Sequence, residues 1–290
     1  MDVRKSATLR AQGACMADFF VVKEGDFGRV EVVKHRHDLV MHAHPYTHFS
    51  FWLSGGSVHS RVGQHTVKIG PDVALGVNSH ASHDLRLDVS NQAAIFLNLY
   101  LNDSWLDAQC KDLAHTMVLP YPYICITPDV NAVCAKLLSL LASPMREDVL
   151  SLEAGVATLL SKTLASAMTS EQLQAMPMRR RMIDYRLRLA IAHMQNNLGS
   201  PKVAEDVAEV VGLSRSRFFE LFHDQLGTSP LVYWNAMRLE EALMRLKVRG
   251  ENMTSMAMNW GFSTPGNFSR FFRDHRGVTP TTYRRVCHAF

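Results

Sequence analysis

One pattern occurs twice near the carboxy-terminal end of this 290-residue chain, and that repetition restricts the fold more than any other property of the sequence. Phe218, Leu221, Phe222, Gly227, Pro230 and Tyr233 recur fifty positions later as Phe268, Phe271, Phe272, Gly277, Pro280 and Tyr283. Just upstream, Ala208, Gly212, Leu213 and Ser214 recur at a shift of 49 as Ala257, Gly261, Phe262 and Ser263, so one residue is inserted between Ser263 and Phe268. Two copies are too few for a solenoid, whose units need several stacked neighbours to close a core; a pair of similar units remains.

Each copy reads as helix, tight turn, helix. Ser200 can cap and Pro201 can open a helix through Val211, Gly212 supplies the turn, and Ser214 caps the next helix. Phe218, Leu221 and Phe222 then fall at i, i+3 and i+4, a buried stripe, which turns Arg215, Ser216, Arg217 and Glu220 outward. In the second copy a helix around Thr254 to Trp260 ends at Gly261, and Ser263 or Thr264 caps the next. Its outward residues are Asn267, Ser269, Arg270 and Arg273.

A helix-turn-helix places such a second helix in the major groove of double-stranded DNA, where Arg can read guanine, Asn adenine, and Glu can accept from cytosine. For one copy alone, the aromatic stripe could be ordinary core and the charges a solvated face. Two copies in register on a basic segment favour DNA. Residues 1–178 hold 14 Lys+Arg against 17 Asp+Glu, a balance of −3, whereas residues 179–290 hold 17 against 10, a balance of +7. Between the copies, Pro230 to Val248 reads as a 19-residue helix with one apolar side, about 28 Å long. Grooves on one face of DNA recur about every 34 Å, so a spacer of that length suits two reading helices.

The run Ala208 to Tyr233, and again Ala257 to Tyr283 within GFSTPGNFSRFFRDHRGVTPTTYRR, resembles the DNA-binding domain of AraC/XylS transcriptional regulators. The resemblance covers about residues 180 to 288. It implies an all-α domain of seven helices with two helix-turn-helix units, promoter DNA as partner with RNA polymerase beside it, and activation of a nearby operon. The first reading helix departs from the pattern, presenting Phe219 and Glu220 where that family often has basic or amide residues.

The amino-terminal half has a different texture. Nine of the fourteen histidines lie between His35 and His83, among short apolar runs separated by Gly-Gly, Gly-Gln, Gly-Pro and Asn-Ser. Phe49 to Leu53, His65 to Ile69, Val73 to Val77 and Ile95 to Leu101 read as strands of an antiparallel barrel or sandwich. Helices follow over Asp129 to Ala142 and Val149 to Met168, with apolar stripes that either pack over the barrel or pair two chains. His42 and His44 share a strand face by period two, as do His48, Ser50 and Trp52, and a later His83 could join them.

That spacing resembles the cupin motif H-x-H-x3-E followed by a later His, with His48 where metal-binding cupins place an acid, and AraC-type regulators commonly carry a cupin-like sensor. His42, His44, His48, Trp52 and His83 are therefore the expected effector pocket. No cofactor is required by the sequence, although His42, His44, His48 and His83 could hold a divalent transition metal such as Zn, Ni, Cu or Fe. His35, His37, His59, His65 and His80 are expected at the surface or at strand ends.

The expected class is α+β: a cupin-like effector-sensing β domain over residues 1–128, dimerisation or packing helices over 129–170, a linker over 171–179 and the DNA-binding domain over 180–290. Cys15, Cys110, Cys125, Cys134 and Cys287 form no C-x-x-C pair, as expected for reduced thiols. Met1 to Gly28 lacks the apolar core of a signal peptide and no apolar run approaches the roughly 18 residues of a membrane span, which suggests a cytoplasmic protein. HExxH, G-x-S-x-G, P-loop and Rossmann signatures are missing, so an effector-responsive regulator that is not an enzyme is the expected reading, set against a metal-dependent cupin enzyme or metal sensor fused to a DNA-binding domain. A third reading is an architectural DNA binder whose barrel serves only as a scaffold for a homodimer.

Overall fold

The computed structural model describes residues 19–89, 92–109, 119–142, 149–167, 184–200, 203–248 and 250–288. The expected linker at 171–179 and Cys15 and Cys110 lie outside them. Among the described residues no helix is long and apolar enough to cross a membrane.

Among the described residues, ten strands build the first domain: β1 (Phe19–Gly25), β2 (Gly28–His35), β3 (Leu39–His42), β4 (Thr47–Gly55), β5 (Val58–Val62), β6 (His65–Ile69), β7 (Val73–Val77), β8 (His83–Leu87), β9 (Ala94–Leu101) and β10 (Tyr123–Cys125). They form two antiparallel sheets, ordered β1-β2-β9-β4-β7-β10 and β3-β8-β5-β6. The larger sheet is covered on both sides, which is why β9 reads AIFLNLYL with almost no polar interruption. One side carries Phe49, Phe51, Leu97, Leu99 and Leu101 against α1 (Asp103–Gln109), α2 (Pro128–Leu141) and α3 (Val149–Ala167). The apolar stripes of α2 and α3, including Leu137, Val156, Leu159 and Leu164, are buried in that layer. Of the two readings of these helices, the structure shows packing over the sheet.

The other side of the larger sheet faces the smaller one and is unusually polar at one end. Register sets Arg29 of β2 and His48 of β4 on either side of Tyr100 in β9, and Glu31 and Ser50 on either side of Asn98. All six are buried.

The second domain runs α4 (Tyr185–Asn196), α5 (Val203–Val210), α6 (Arg215–Leu226), α7 (Pro230–Leu246), α8 (Met253–Asn259), α9 (Pro265–Arg276) and α10 (Pro280–Cys287). The expected caps are in place: Ser214, Ser229 and Thr264 accept from the backbone at the starts of α6, α7 and α9. Its two units differ in how they bury their stripes. The first has its own core, in which Phe218, Phe222, Tyr233 and Trp234 close over Leu187, Met194 and Val207. The second closes over its own helices, with Phe268, Phe272, Val278 and Tyr283 packed among Leu239, Leu243, Met256 and Trp260, and the same core runs on into Val33, Leu39, Leu85 and Phe96 of the sheets.

The domain contact is sealed by charge as well as by apolar area. Arg276, the last residue of α9, donates to Glu31 at 2.6 Å and to the Tyr100 hydroxyl at 3.0 Å, with Arg276 and Glu31 only 6% and 1% exposed. Arg29 lies over the Tyr100 ring, 3.5 Å from Glu31 and 3.7 Å from Glu240 of α7. Lys247 pairs with Glu24 at the rim, and His80 stacks on Tyr233. His35 and His80 were expected at the surface or strand ends. His35 does end β2 but is buried there at 5% exposure, and the half-buried His80 lies against Tyr233 of the first helical unit.

The equivalent glycines Gly227 and Gly277 end α6 and α9 in the left-handed region, at φ 65° and 74°. A Cβ on Gly227 would meet open space, but one on Gly277 would lie 2.6 Å from Nδ1 of His35. Gly227→Ala is therefore expected to cost the left-handed strain alone, about 1–2 kcal/mol. Gly277→Ala should cost distinctly more and weaken domain docking, as urea denaturation of the two variants side by side will show; equal losses would mean that His35 yields freely.

Candidate functional site

Two groups of side chains stand out, one on the helical domain and one inside the β domain. On α6, Arg215, Ser216, Arg217 and Glu220 are exposed, as the stripe spacing required. Arg217 and Glu220 are paired to each other at 3.1 Å and Arg215 lies over the Phe219 ring, so this helix offers a largely self-neutralised face. On α9, Asn267, Arg270 and Arg273 are exposed and Ser269 is half-buried. Asn267 donates to Ser263 at 2.8 Å, which steadies the amide at the helix start. The amino-terminal half of α9 is thus open, while its carboxy-terminal end, His275 and Arg276, is buried against the β domain. If Arg270 reads a base edge, Arg270→Ala will weaken specific duplex binding by about 1–3 kcal/mol and relax one base position. Equal losses on specific and random duplexes would make it a phosphate contact.

The histidines converge inside the β domain. β3 ends at His42, which pairs in register with His83 of β8; His44 follows in the turn into β4 rather than on the strand itself. That turn nevertheless returns the ring of His44 to the group. Ring centroids lie 4.2 Å apart for His42 and His83, and 5.0 Å for His44 and His83. Nitrogens of His42, His44 and His83, one from each, all lie within 4.8 Å of one another. The Nδ1 atoms donate to the carbonyls of Val40 (2.8 Å), Tyr46 (2.9 Å) and Ala81 (2.9 Å), which fixes each ring and its tautomer.

His48 lies beside this trio, its ring 4.9 Å from those of His44 and His83 and stacked on Tyr100 at 5.1 Å. Its Nε2 is tied to the Ser50 hydroxyl at 3.0 Å. Trp52, expected in the same pocket, lies outside the cavity wall and donates to Gly56 at the far end of β4. The cavity, of about 20 Å³, is bounded by His35, His42, His48, His83 and Tyr100 among others, and His44, also expected in the pocket, packs beside His42 and His83 without lining it. Sequence reasoning missed His35, Tyr100, Arg29, Glu31, His275 and Arg276, which frame the site. Two polar residues two places apart at the start of β2, Arg29 and Glu31, are the local signal that a buried polar row was present.

Burial dominates the electrostatics. It pushes His48 and His83 down to about 3 and His35 down to about 4, and it holds His42 and His44 well below the ordinary imidazole range, with neighbouring histidines adding to the effect. Glu31 is held ionised below its usual range by Arg276 and Arg29 against the opposing effect of burial. The five rings are therefore neutral when folded and free to protonate near pH 6.5 when unfolded. Their contribution is intact above that pH and is lost as pH falls toward the folded values. With a chelator present, unfolding free energy should drop by several kcal/mol between about pH 7.5 and 5.5, at up to about 1.4 kcal/mol per pH unit for each ring. A urea midpoint that ignores pH over this interval would mean that water reaches the rings.

A family model described as a helix-turn-helix domain matches residues 207–286. The probable transcriptional regulator LumQ of Photobacterium leiognathi is 26% identical over 250 residues, covering 84% of this chain and 91% of LumQ. The arabinose operon regulatory protein of Escherichia coli is 31% identical over 106 residues, 36% of this chain and 36% of that protein. With several other curated relatives, too, the match spans about a third of the relative's length. ToxT from Vibrio cholerae superposes with a TM-score of 0.54 at 11% identity, over 89% of this chain and 97% of ToxT, and so shares its two-domain fold. ToxT has also been solved with an unsaturated fatty acid bound.

A β-rich domain followed by a paired helix-turn-helix domain defines a DNA-binding transcriptional regulator. The helix-turn-helix domain of this chain, matched over residues 207–286, is similar to that of AraC-type regulators such as the arabinose operon regulatory protein.

Proposed function

We propose that this chain is an effector-controlled activator of a nearby operon, in which docking of the second helix-turn-helix unit on the β domain sets how freely α9 reaches DNA. The observation that carries this reading is the shared core: Phe268, Phe272 and Tyr283 of the second unit pack with Leu39, Leu85 and Phe96, while Asn267, Arg270 and Arg273 remain open. An effector held among His42, His44, His48 and His83 would lie directly under that contact, because the ring of His42 is 6.3 Å from that of His275 on α9. Arg217, Asn267 and Arg270 are assigned to base edges, with Arg215, Ser216, Glu220, Ser269 and Arg273 completing the DNA face.

Around this centre the reading includes a homodimer, because a twofold protein matches paired half-sites. It also places the protein in the cytoplasm and RNA polymerase beside it at the promoter. Catalysis has no part in it.

The test compares the full-length chain with the fragment from Met178 to Phe290 in selection of bound sequences from a random duplex pool. Both are expected to recover the same motif with salt-dependent affinity. Only the full-length chain should change its affinity when effector is added. A folded fragment that recovers no motif would mean that specificity comes from pairing of the β domains.

A further inference from the structure

The histidine centre has the build of a ligand set. Carbonyl oxygens only accept, so the Nδ1 atoms of His42, His44 and His83 carry the protons and each Nε2 presents a lone pair. Backbone carbonyls behind ring nitrogens are the usual outer partners of metal-bound imidazoles, because they fix both tautomer and ring orientation. The three nitrogens lie within 4.8 Å of one another, and a tetrahedral site draws imidazole nitrogens to about 3.4 Å, so a modest closure of the rings completes it.

A second observation points the same way. Nε2 of His44, on a residue only 5% exposed, has no hydrogen-bond partner, and neither does Nδ1 of His48. An orphaned, dehydrated lone pair raises the free energy of the folded chain, and a bound cation would relieve it. The cavity of about 20 Å³ beside His42, His48 and His83 accommodates one water or one ion. Pockets for organic ligands run to about 300–1,000 Å³. Imidazole without carboxylate or thiolate in the trio suits zinc, nickel or copper and not magnesium or calcium.

Resting on the effector-controlled reading above, we propose that the effector is a divalent transition ion of the zinc, nickel and copper class, held by His42, His44 and His83, whose charge releases α9 from the β domain. The coupling follows from what surrounds the trio. Tyr100 packs against the rings of His44 and His48 and accepts from Arg276. His275, one residue before Arg276, packs against His42. Two arginines, Arg29 and Arg276, already share this interior with Glu31 between them, while Glu240 lies 3.7 Å from Arg29 and the buried Asp84 lines the cavity. A dication entering the same low-dielectric space draws Glu31 and repels Arg276. Of the two arginines, Arg276 belongs to the separately folded helical domain and can leave. Linkage then makes the ion and DNA cooperative, since both favour the undocked arrangement.

The experiment uses the full-length chain, stripped with a chelator and titrated with Zn²⁺, Ni²⁺ and Co²⁺, the last for its visible bands. One ion per chain is expected, with the Co²⁺ spectrum of a nitrogen-ligated site. His44→Ala and His83→Ala should each lower ion affinity by more than the roughly 10–100-fold that loss of an outer partner costs. Zn²⁺ should raise affinity for the selected duplex by about 5–150-fold in the unaltered chain and leave both histidine variants unchanged. Should those variants fail to fold by circular dichroism, the Co²⁺ spectrum and zinc competition in the unaltered chain decide. Glu31→Gln, which keeps the trio, should raise ion-free DNA affinity and blunt the response to Zn²⁺. Absence of bound ion at micromolar concentration, or binding that leaves DNA affinity unchanged, overturns the proposal. If no ion binds while Glu31→Gln still raises DNA affinity, docking control survives without the metal. If Glu31→Gln leaves DNA affinity unchanged, docking control itself fails.

Discussion

The pairing of Arg276 with Glu31 organises this molecule, because it is the point at which a reading helix, two strands of the larger sheet and the histidine interior meet. Glu31 is presented inward by the β2–β9 register and receives Asn98 at 3.4 Å, while Arg276 arrives from the last turn of α9. Neither charge reaches water, so each requires the other. A pair of this kind adds little net stability over an apolar substitute, since the cost of dehydrating both ions offsets their attraction. Its effect is on arrangement: Arg29 lies 3.5 Å from Glu31 within the sheet, but the closest partner, at 2.6 Å, arrives only when α9 is seated, so docking is favoured as a defined state rather than as loose apolar adhesion. The apolar core shared by Phe268, Tyr283, Leu39 and Phe96 supplies the larger share of the attraction, and the ion pair fixes its geometry.

From this follows an asymmetry between two units that look alike in sequence. The first unit closes its own core around Phe218, Phe222 and Trp234 and touches the β domain only through contacts such as His80 on Tyr233. The core of the second runs on into the sheets. The stiff connection between them, α7, is seated at Arg238, whose guanidinium is packed over Trp234 of the first unit and Phe262 of the second. Under the docking control proposed above, this seat would carry a change at α9 to both reading helices.

Much of this was legible before the structure. Caps at Ser214, Ser229 and Thr264, the turn at Gly261 and the stripes on α6 and α9 follow from local chemistry, which the backbone obeys whatever lies around it. The histidine trio was legible because close spacing confines His42 and His44, and a paired strand brings His83. Trp52 was misplaced because period two gives the face of a strand but not the position along it: Trp52 points the same way as His48, two residues beyond the cavity's end. The burial of His35 was not legible for a different reason: it ends β2 as expected, but Phe96 within the sheet and Gly277 from the distant helical domain both lie against it.

The docking itself left one trace in the sequence, visible when the two copies are compared position by position. At a shift of fifty, Gln225 and Leu226 of the first copy correspond to His275 and Arg276 of the second. Gln225 accepts from the backbone of Asp184, and Leu226 packs on the first unit's own core, so these positions complete a self-contained unit. In the second copy the same two positions face outward from the unit and into the β domain. An arginine in the last turn of a helix ordinarily complements the helix dipole at the surface, and nothing in its immediate neighbours marks it as buried. The departure from the repeat is the informative signal: a site that is apolar and self-packed in one copy and charged in the other has acquired a partner from elsewhere in the chain. Where a repeat is present, the positions at which its copies disagree in burial chemistry are therefore the first place to look for a contact between domains.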